Sequence, residues 1–373
     1  MKQIIKIASN PKIFVYTIIW LMVLVVLGTL AQRDIGLYAS QQKYFSANIT
    51  WLGGIIPVPG GRITMVIILT NLTSMLFKPN LWKIKKIGVL VMHIGALLLL
   101  IGGGLTAIFS SEGNMVIEEG AQSNYVDDYN DMELTIINTT KDILDEYTIF
   151  DQPILGKGNI LSHENLNFNI EIINYFKNCE PLKRTSPAGI QYKDMLKNFT
   201  LSELKPEKEN NRNRPGIIYR ITNSDSNNDG IYGIFLRQSV KQTAIINNKK
   251  YEFIFRRKRT YLPFAIELLD FKKVMHAGTS IAKSYSSEVN LIENGIPRRV
   301  LIEMNEPLRH RGYTFFQASF IEGLEGETTV LAAVKNYGRL FPYISSIIMS
   351  IGLLLHLLKS IPKLLQKNPR DGS

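Results

Sequence analysis

The chain has 373 residues, 45% of them hydrophobic and 20% charged, with a formal net charge of +11. The excess looks at first like a nucleic-acid signal, but its distribution removes that reading: the basic residues crowd into short segments beside long apolar runs. The single cysteine, Cys179, excludes an internal disulfide and is read as a bystander thiol.

Four runs carry no charge: 13–32, 63–77, 87–111 and 340–358. A helix needs roughly 20 apolar residues to cross a bilayer. The runs predict four transmembrane helices, three N-terminal (about 13–32, 63–77 and 87–109) and one C-terminal (340–358). The second run is the shortest, and Arg62 and Lys78 would snorkel from its ends. The first has the basic start of a signal peptide. The polar stretch Ala31-Gln-Arg-Asp34 offers no clean small-residue cleavage pattern, so a retained helix is expected.

Lys2, Lys6 and Lys12 mark a tail, 1–12. Lys78, Lys83, Lys85 and Lys86 fill the loop before the third run, and Lys359, Lys363, Lys367 and Arg370 the tail 359–373. Short cytoplasmic segments collect Lys and Arg. Both tails and the 78–86 loop are therefore expected in the cytoplasm, and the near-neutral segment 110–339 outside.

Between the first two helices, aromatic and polar residues mix as at a headgroup interface, and Trp51 and Leu52 suit the membrane surface. Asn71 is expected to face a neighbouring helix rather than lipid. Gly95, Gly102, Gly103 and Gly104 in the third run permit close approach of a helix or a flat ligand. Segment 110–339 is strand-like, with runs such as Glu133-Leu-Thr-Ile-Ile, Tyr251-Glu-Phe-Ile-Phe and Val300-Leu-Ile-Glu-Met between turn clusters. It predicts a large β-rich extracytoplasmic domain, with a polar, exposed insertion at about 178–215. Arg256-Arg-Lys-Arg259 reads as a solvated edge or loop, with an anionic partner as the minor alternative.

Of five histidines, His93 and His356 lie in the predicted membrane helices. His93 sits about 9 Å inside the third helix at 1.5 Å per residue. An imidazole in lipid must find a partner, and it is a common ligand of haem iron. The spacing leaves two readings open: a polar helix–helix hydrogen bond, or an axial ligand, with His356 as a facing imidazole. His163, His276 and His310 show no metal-ligand spacing. No Cys-x-x-Cys-His, P-loop, Gly-x-Ser-x-Gly or His-Glu-x-x-His is present.

Several motifs resemble one family. They are Leu27-Gly-Thr-Leu-Ala-Gln32, Gly36-Leu-Tyr, Tyr44-Phe45, Pro59-Gly-Gly61, His93-Ile-Gly, Gly278-Thr-Ser-Ile-Ala-Lys-Ser-Tyr-Ser-Ser-Glu-Val289, Ile302-Glu-Met-Asn-Glu-Pro-Leu308, Arg311-Gly-Tyr-Thr-Phe-Phe-Gln-Ala-Ser-Phe320 and Val334-Lys-Asn-Tyr-Gly-Arg339. Together they resemble ResB, also called CcsB, a membrane subunit of system II cytochrome c biogenesis.

The resemblance implies a bacterial inner-membrane protein. With a ResC or CcsA-type partner it would move haem b, as a transient substrate, to the outer face. There haem is joined to Cys-x-x-Cys-His apocytochromes, so the chain would be one component of a haem lyase. His93 matches the family's axial haem-iron ligand. Trp20, Trp51 and Trp82 are scattered, so the family's tryptophan-rich haem motif is left to the partner. The alternative reading is a non-catalytic, membrane-anchored scaffold or sensor with a ligand-binding outer domain.

Overall fold

The computed structural model describes residues 2–365, apart from 141–144, 188, 225–226, 279–281 and 324–325. The end of the predicted C-terminal tail (366–373) and part of the Gly278 motif lie outside the described residues. The chain forms two compact units, Met1–Ser111 with Lys335–Ser373, and Glu112–Val334.

The first unit is helical. A short helix α1 (Lys2–Ala8) leads to α2 (Pro11–Ile35). Asn10 caps α2 by accepting from the Lys12 amide at 3.0 Å, and Pro11 fits the first turn. Then come α3 (Gly61–Leu76), α4 (Ile87–Phe109) and α5 (Phe341–Leu365). Three helices, α2, α4 and α5, are long and apolar enough to cross a membrane. Helix α3, expected as a fourth span, has 16 residues. That is about 24 Å, short of the roughly 30 Å hydrocarbon core.

The reason for the short α3 lies just before it. After α2 the chain turns at Gly36, whose φ of 81° suits glycine, and folds back along the same helix. Ser40 Oγ donates to Gly28 O at 2.6 Å, and Trp20 Nε1 donates to Pro59 O at 2.9 Å. A hairpin, Ile49–Leu52 with Ile56–Pro59, fills the way between. Helix α3 therefore starts beside the middle of α2, and part of the return has already been made.

Helices α4 and α5 pack antiparallel through glycine. Gly88, Gly95 and Gly102 recur every seven residues and share a face. A Cβ at Gly88 would stand 2.6 Å from His356 N, and one at Gly95 2.6 Å from Met349 Cγ. Phe341 fills the place beside Gly102. Small residues let membrane helices touch where lipid gives no hydrophobic drive. Gly103 and Gly104, expected to do the same, face open space.

The second unit is built of strands. Its largest sheet has ten strands centred on Lys249–Met275, which pairs antiparallel with Gln122–Asn138 and Ala282–Glu293. A four-stranded sheet, Gly230–Phe235, Gly216–Thr222, Asn169–Phe176 and Ile160–Leu161, lies apart from it in strand order. The expected β-rich domain is thus a large, mainly antiparallel structure. Lys249–Met275 serves two cores. Tyr251, Phe253 and Phe255 pack with Ile170, Ile217 and Tyr219. Further along, Phe264, Ile266 and Leu268 pack with Val289, Phe315 and Leu331.

Where the cores meet lies the basic cluster expected at a solvated edge. The structure corrects that expectation: Arg256 to Arg259 run through the middle of the central strand, and their partners belong to the chain. Arg256 Nε meets Glu133 Oε1 at 2.8 Å with the two side chains 14% and 2% exposed. Arg257 Nη1 donates to Tyr129 O, and Lys258 and Arg259 pair with Asp151 and Asp127. Arg259 also lies over the Tyr125 ring. Burial raises the Asp127 carboxyl above its ordinary range against the pull of Arg259.

In the stretch 178–215, Cys179–Lys183 pairs with Phe199–Glu203. Leu196 and Leu201 are buried there, while most residues from 183 to 191 are exposed. Cys179 is buried, and burial pushes its thiol up to about 11.

Four outcomes test this packing in the full-length chain in detergent. Glu133→Ala leaves Arg256 buried and unpaired, and should cost about 3–5 kcal/mol of strand-unit stability by circular dichroism. Lys258→Ala, at a half-exposed pair, should cost less than about 1 kcal/mol. Equal losses would deny the pair its buried character. Gly95→Leu should cost about 1–3 kcal/mol by overpacking while Gly103→Leu is tolerated, read as melting temperatures. Alkylation of Cys179 in the folded chain should still be climbing toward pH 11, beyond the ordinary value of 9.0. A plateau near pH 9 would contradict its burial.

Candidate functional site

Helix α4 carries one ring with titratable nitrogens, His93, within an otherwise apolar stretch. Its Nδ1 lies 2.9 Å from Val89 O, one helical turn back. A carbonyl can only accept, so Nδ1 carries the proton and the neutral ring keeps its lone pair on Nε2. Among the described residues the ring makes no other hydrogen bond. A backbone bond of this kind fixes the tautomer of many metal-binding imidazoles.

The half-buried ring lines a cavity of about 600 Å³ within the helical unit. That is ample for a large apolar ligand. Four helices wall it: Phe14 from α2, Leu72 and Met75 from α3, Ala96 from α4, Met349 and Leu353 from α5. The walls are aliphatic, aromatic and thioether groups, soft enough to adapt to a flat ligand. Asn71 also borders the cavity, but its Nδ2 is spent on Ala8 O at 2.6 Å and Asn10 O at 3.0 Å. It thus closes the start of α2 onto α3, as a polar residue facing a neighbouring helix should.

The cavity lies toward the basic end of the unit. Lys78 Nζ donates to Ser9 O at 2.7 Å, and Lys359 Nζ donates to Ile84 O at 2.7 Å. These bonds gather the three basic segments at one end of the helices.

The other histidines lie elsewhere. His356 is exposed on α5, its backbone against Gly88, and it does not border the cavity. The structure therefore does not bring His93 and His356 around one space. His163 Nδ1 accepts from the Asn165 amide, and His310 bonds Glu293 at 3.1 Å beside Phe264. Among the described residues no group of three His, Cys, Asp or Glu is placed to hold a metal ion. His93 alone of the described histidines is set in an apolar cavity. Composition had pointed to His93 and Asn71. The apolar wall was missed because its members come from four separate runs and carry no chemical signal of their own.

The model of the ResB-like family matches residues 83–140 and 234–341. The first segment holds α4 with His93 and the strands after it. The second holds Lys249–Met275 and the strands that lead to α5. A curated relative, protein NrfI of Wolinella succinogenes, is 24% identical over 298 residues. The alignment covers 77% of this chain and 29% of NrfI, so the chain spans less than a third of that protein. Over these two segments, which carry His93 and most of the long sheet, the chain is similar to the ResB-like family.

Proposed function

We propose that the chain is a haem-handling membrane subunit of a cytochrome c synthetase, with haem b as its transient substrate and His93 as an axial iron ligand. One observation carries the reading. His93 keeps an unshared Nε2 on an apolar cavity of about 600 Å³, and its tautomer is held by Val89 O. The family match over α4 supports it. The fit is of the right kind. A porphyrin supplies four ligands of its own, so a single imidazole from this chain suffices on one face. The opposite ligand then falls to a ResC or CcsA-type partner. Axial ligation helps hold iron reduced, and this is the chemistry that the bound group needs before attachment.

This chain's own share is binding and orientation. Its one thiol is buried and held protonated, which leaves the two thiols of an apocytochrome to add across the haem vinyl groups. Helix α3, together with the folded-back segment before it, completes the fourth crossing. Both termini then lie in the cytoplasm, with the strand-built unit outside. The basic excess of the tails and of the 78–86 loop supports that orientation.

The test is an absorption spectrum of the chain purified in detergent with its partner. Wild type should show reduced b-type bands. His93→Ala should lose most of them and regain them with added imidazole, while His356→Ala keeps them. A haem-free wild-type complex that still matures cytochromes would remove His93 from the mechanism and leave a scaffold. Bands unchanged in His93→Ala would move the ligand elsewhere.

A further inference from the structure

The strand-built unit holds a second cavity, of about 530 Å³, with a different chemistry. Its apolar walls include Pro181, Met195, Phe199, Phe235 and Val240. Its polar lining is Asp194, Asn198, Gln238, Ser239, Lys241, Gln242 and Thr243, and two of these side chains hold an acceptor with nothing to accept from. Gln242 opens a strand whose residues alternate inward and outward, so it shares the inward face of Ala244 and Ile246 and is only 5% exposed. Its Nε2 donates to Asp194 Oδ2 at 3.4 Å, while its Oε1 is buried and unpartnered. Gln238 repeats the pattern: Nε2 donates to Val240 O at 3.1 Å, and Oε1 is buried and unpartnered. Neither amide can be turned over to cure this, because Asp194 and the Val240 carbonyl only accept.

Asp194 adds a carboxylate at the cavity wall. It stands at the head of a tight turn with φ 46°; Leu196 of that turn packs against Gly233, and the residues just before it are held by Lys193 N donating to Ile231 O and Ile231 N donating to Gln191 O. One cation, Lys241, is itself part of the lining, and its charge is paired. Lys241 Nζ pairs with Glu252 at 3.0 Å. Arg184 Nε donates to Leu196 O and Phe199 O, and its guanidinium lies over Tyr192.

Two unmet carboxamide oxygens and a carboxylate around an apolar hollow call for N–H donors on an apolar body, and favour a positive charge. We propose that this cavity binds an organic cation, an ammonium or guanidinium group on an apolar stem. A free amine and a Lys or Arg side chain of a polypeptide share that chemistry. The site is independent of the haem reading. Residues 181–199 of its wall lie between the two segments matched by the family model, and the strand that follows lies within the second.

The experiment titrates the full-length chain in detergent with n-butylammonium, n-butanol, the peptide Gly-Lys-Gly and its Nε-acetylated form, by ligand-observed NMR. Butylammonium should bind about tenfold more tightly than butanol, and acetylation should cost the peptide a similar factor. Asp194→Asn should erase the preference for charge. Gln242→Leu should weaken the cation further without lowering the melting temperature, since it removes an unmet acceptor. If that variant fails to fold, the exposed, conservative Asp194→Asn decides alone. Tighter binding of Gly-Lys-Gly than of butylammonium assigns the site to polypeptide, and the reverse order assigns it to free amines. Binding in His93→Ala should equal wild type, which separates this site from the haem site. Equal binding of butanol and butylammonium, an unchanged preference in Asp194→Asn, or no cation binding at millimolar concentration would each overturn the proposal.

Discussion

The contact between α4 and α5 sets what the helical unit can hold. In lipid, burying apolar side chains gains little, so helices hold each other by close packing. Gly88, Gly95 and Gly102 bring α5 so near that a methyl group would collide with it. His93 lies two residues before Gly95, and at 100° per residue it is turned well away from that seam. The same seam that binds α5 thus leaves the imidazole free on a neighbouring face. It also fixes Met349 and Leu353 as the wall opposite. Helix α3 closes the space from the other side, held to the start of α2 by Asn71 and Lys78.

The strand-built unit solves a different problem. One strand, Lys249–Met275, has to serve two cores, and the residues between them cannot all be apolar without blurring where one core ends. Arg256 and Glu133 mark the division, directly opposite each other in the ladder. A buried ion pair adds little stability of its own, but losing one partner is expensive. Such a pair therefore favours one strand register over its neighbours: a slip by one residue would send every side chain to the opposite face. The register shift between Arg257 and Arg259 falls at the same place, where the strand passes from one core to the next.

Much of this was legible in the residues, and what was not has physical causes. The apolar runs and their basic flanks gave the helices, because bilayer thickness and charge leave few alternatives. The strand segments were visible in pieces such as Tyr251-Glu-Phe-Ile-Phe. Their union into one 27-residue strand was hidden by the four basic residues in the middle. Alone, those residues read as surface. Their acids, Glu133, Asp127 and Asp151, come from more than a hundred residues away and are brought close by strand pairing. The length of α3 misled for a related reason: hydropathy counts apolar residues and does not report that the chain has already doubled back along α2. His93 was visible because a ring nitrogen in an apolar run has few explanations. The acceptors at Gln238 and Gln242 were not, since an amide shows its unmet oxygen only once its neighbours are in place.

The two ends of the helical unit differ in charge, and this bears on the direction of traffic under the proposed function. The cavity is bordered by Pro11, at the very start of α2, and by Asn71 and Met75, near the end of α3. Those positions lie beside Ser9 and Lys78, where the basic segments gather. Haem is an apolar disc with two carboxylates. If haem is the ligand, as proposed, an apolar hollow with lysines just beyond it would suit both parts, the carboxylates toward the basic end. The open faces of Gly103 and Gly104 lie ten residues and more beyond His93, roughly 15 Å further along α4 toward the strand-built end of the chain's path. A partner helix could approach there without collision. Under the proposed function His93 would be a point of entry near the basic end, and His356, the other imidazole of the membrane helices, lies outside its cavity.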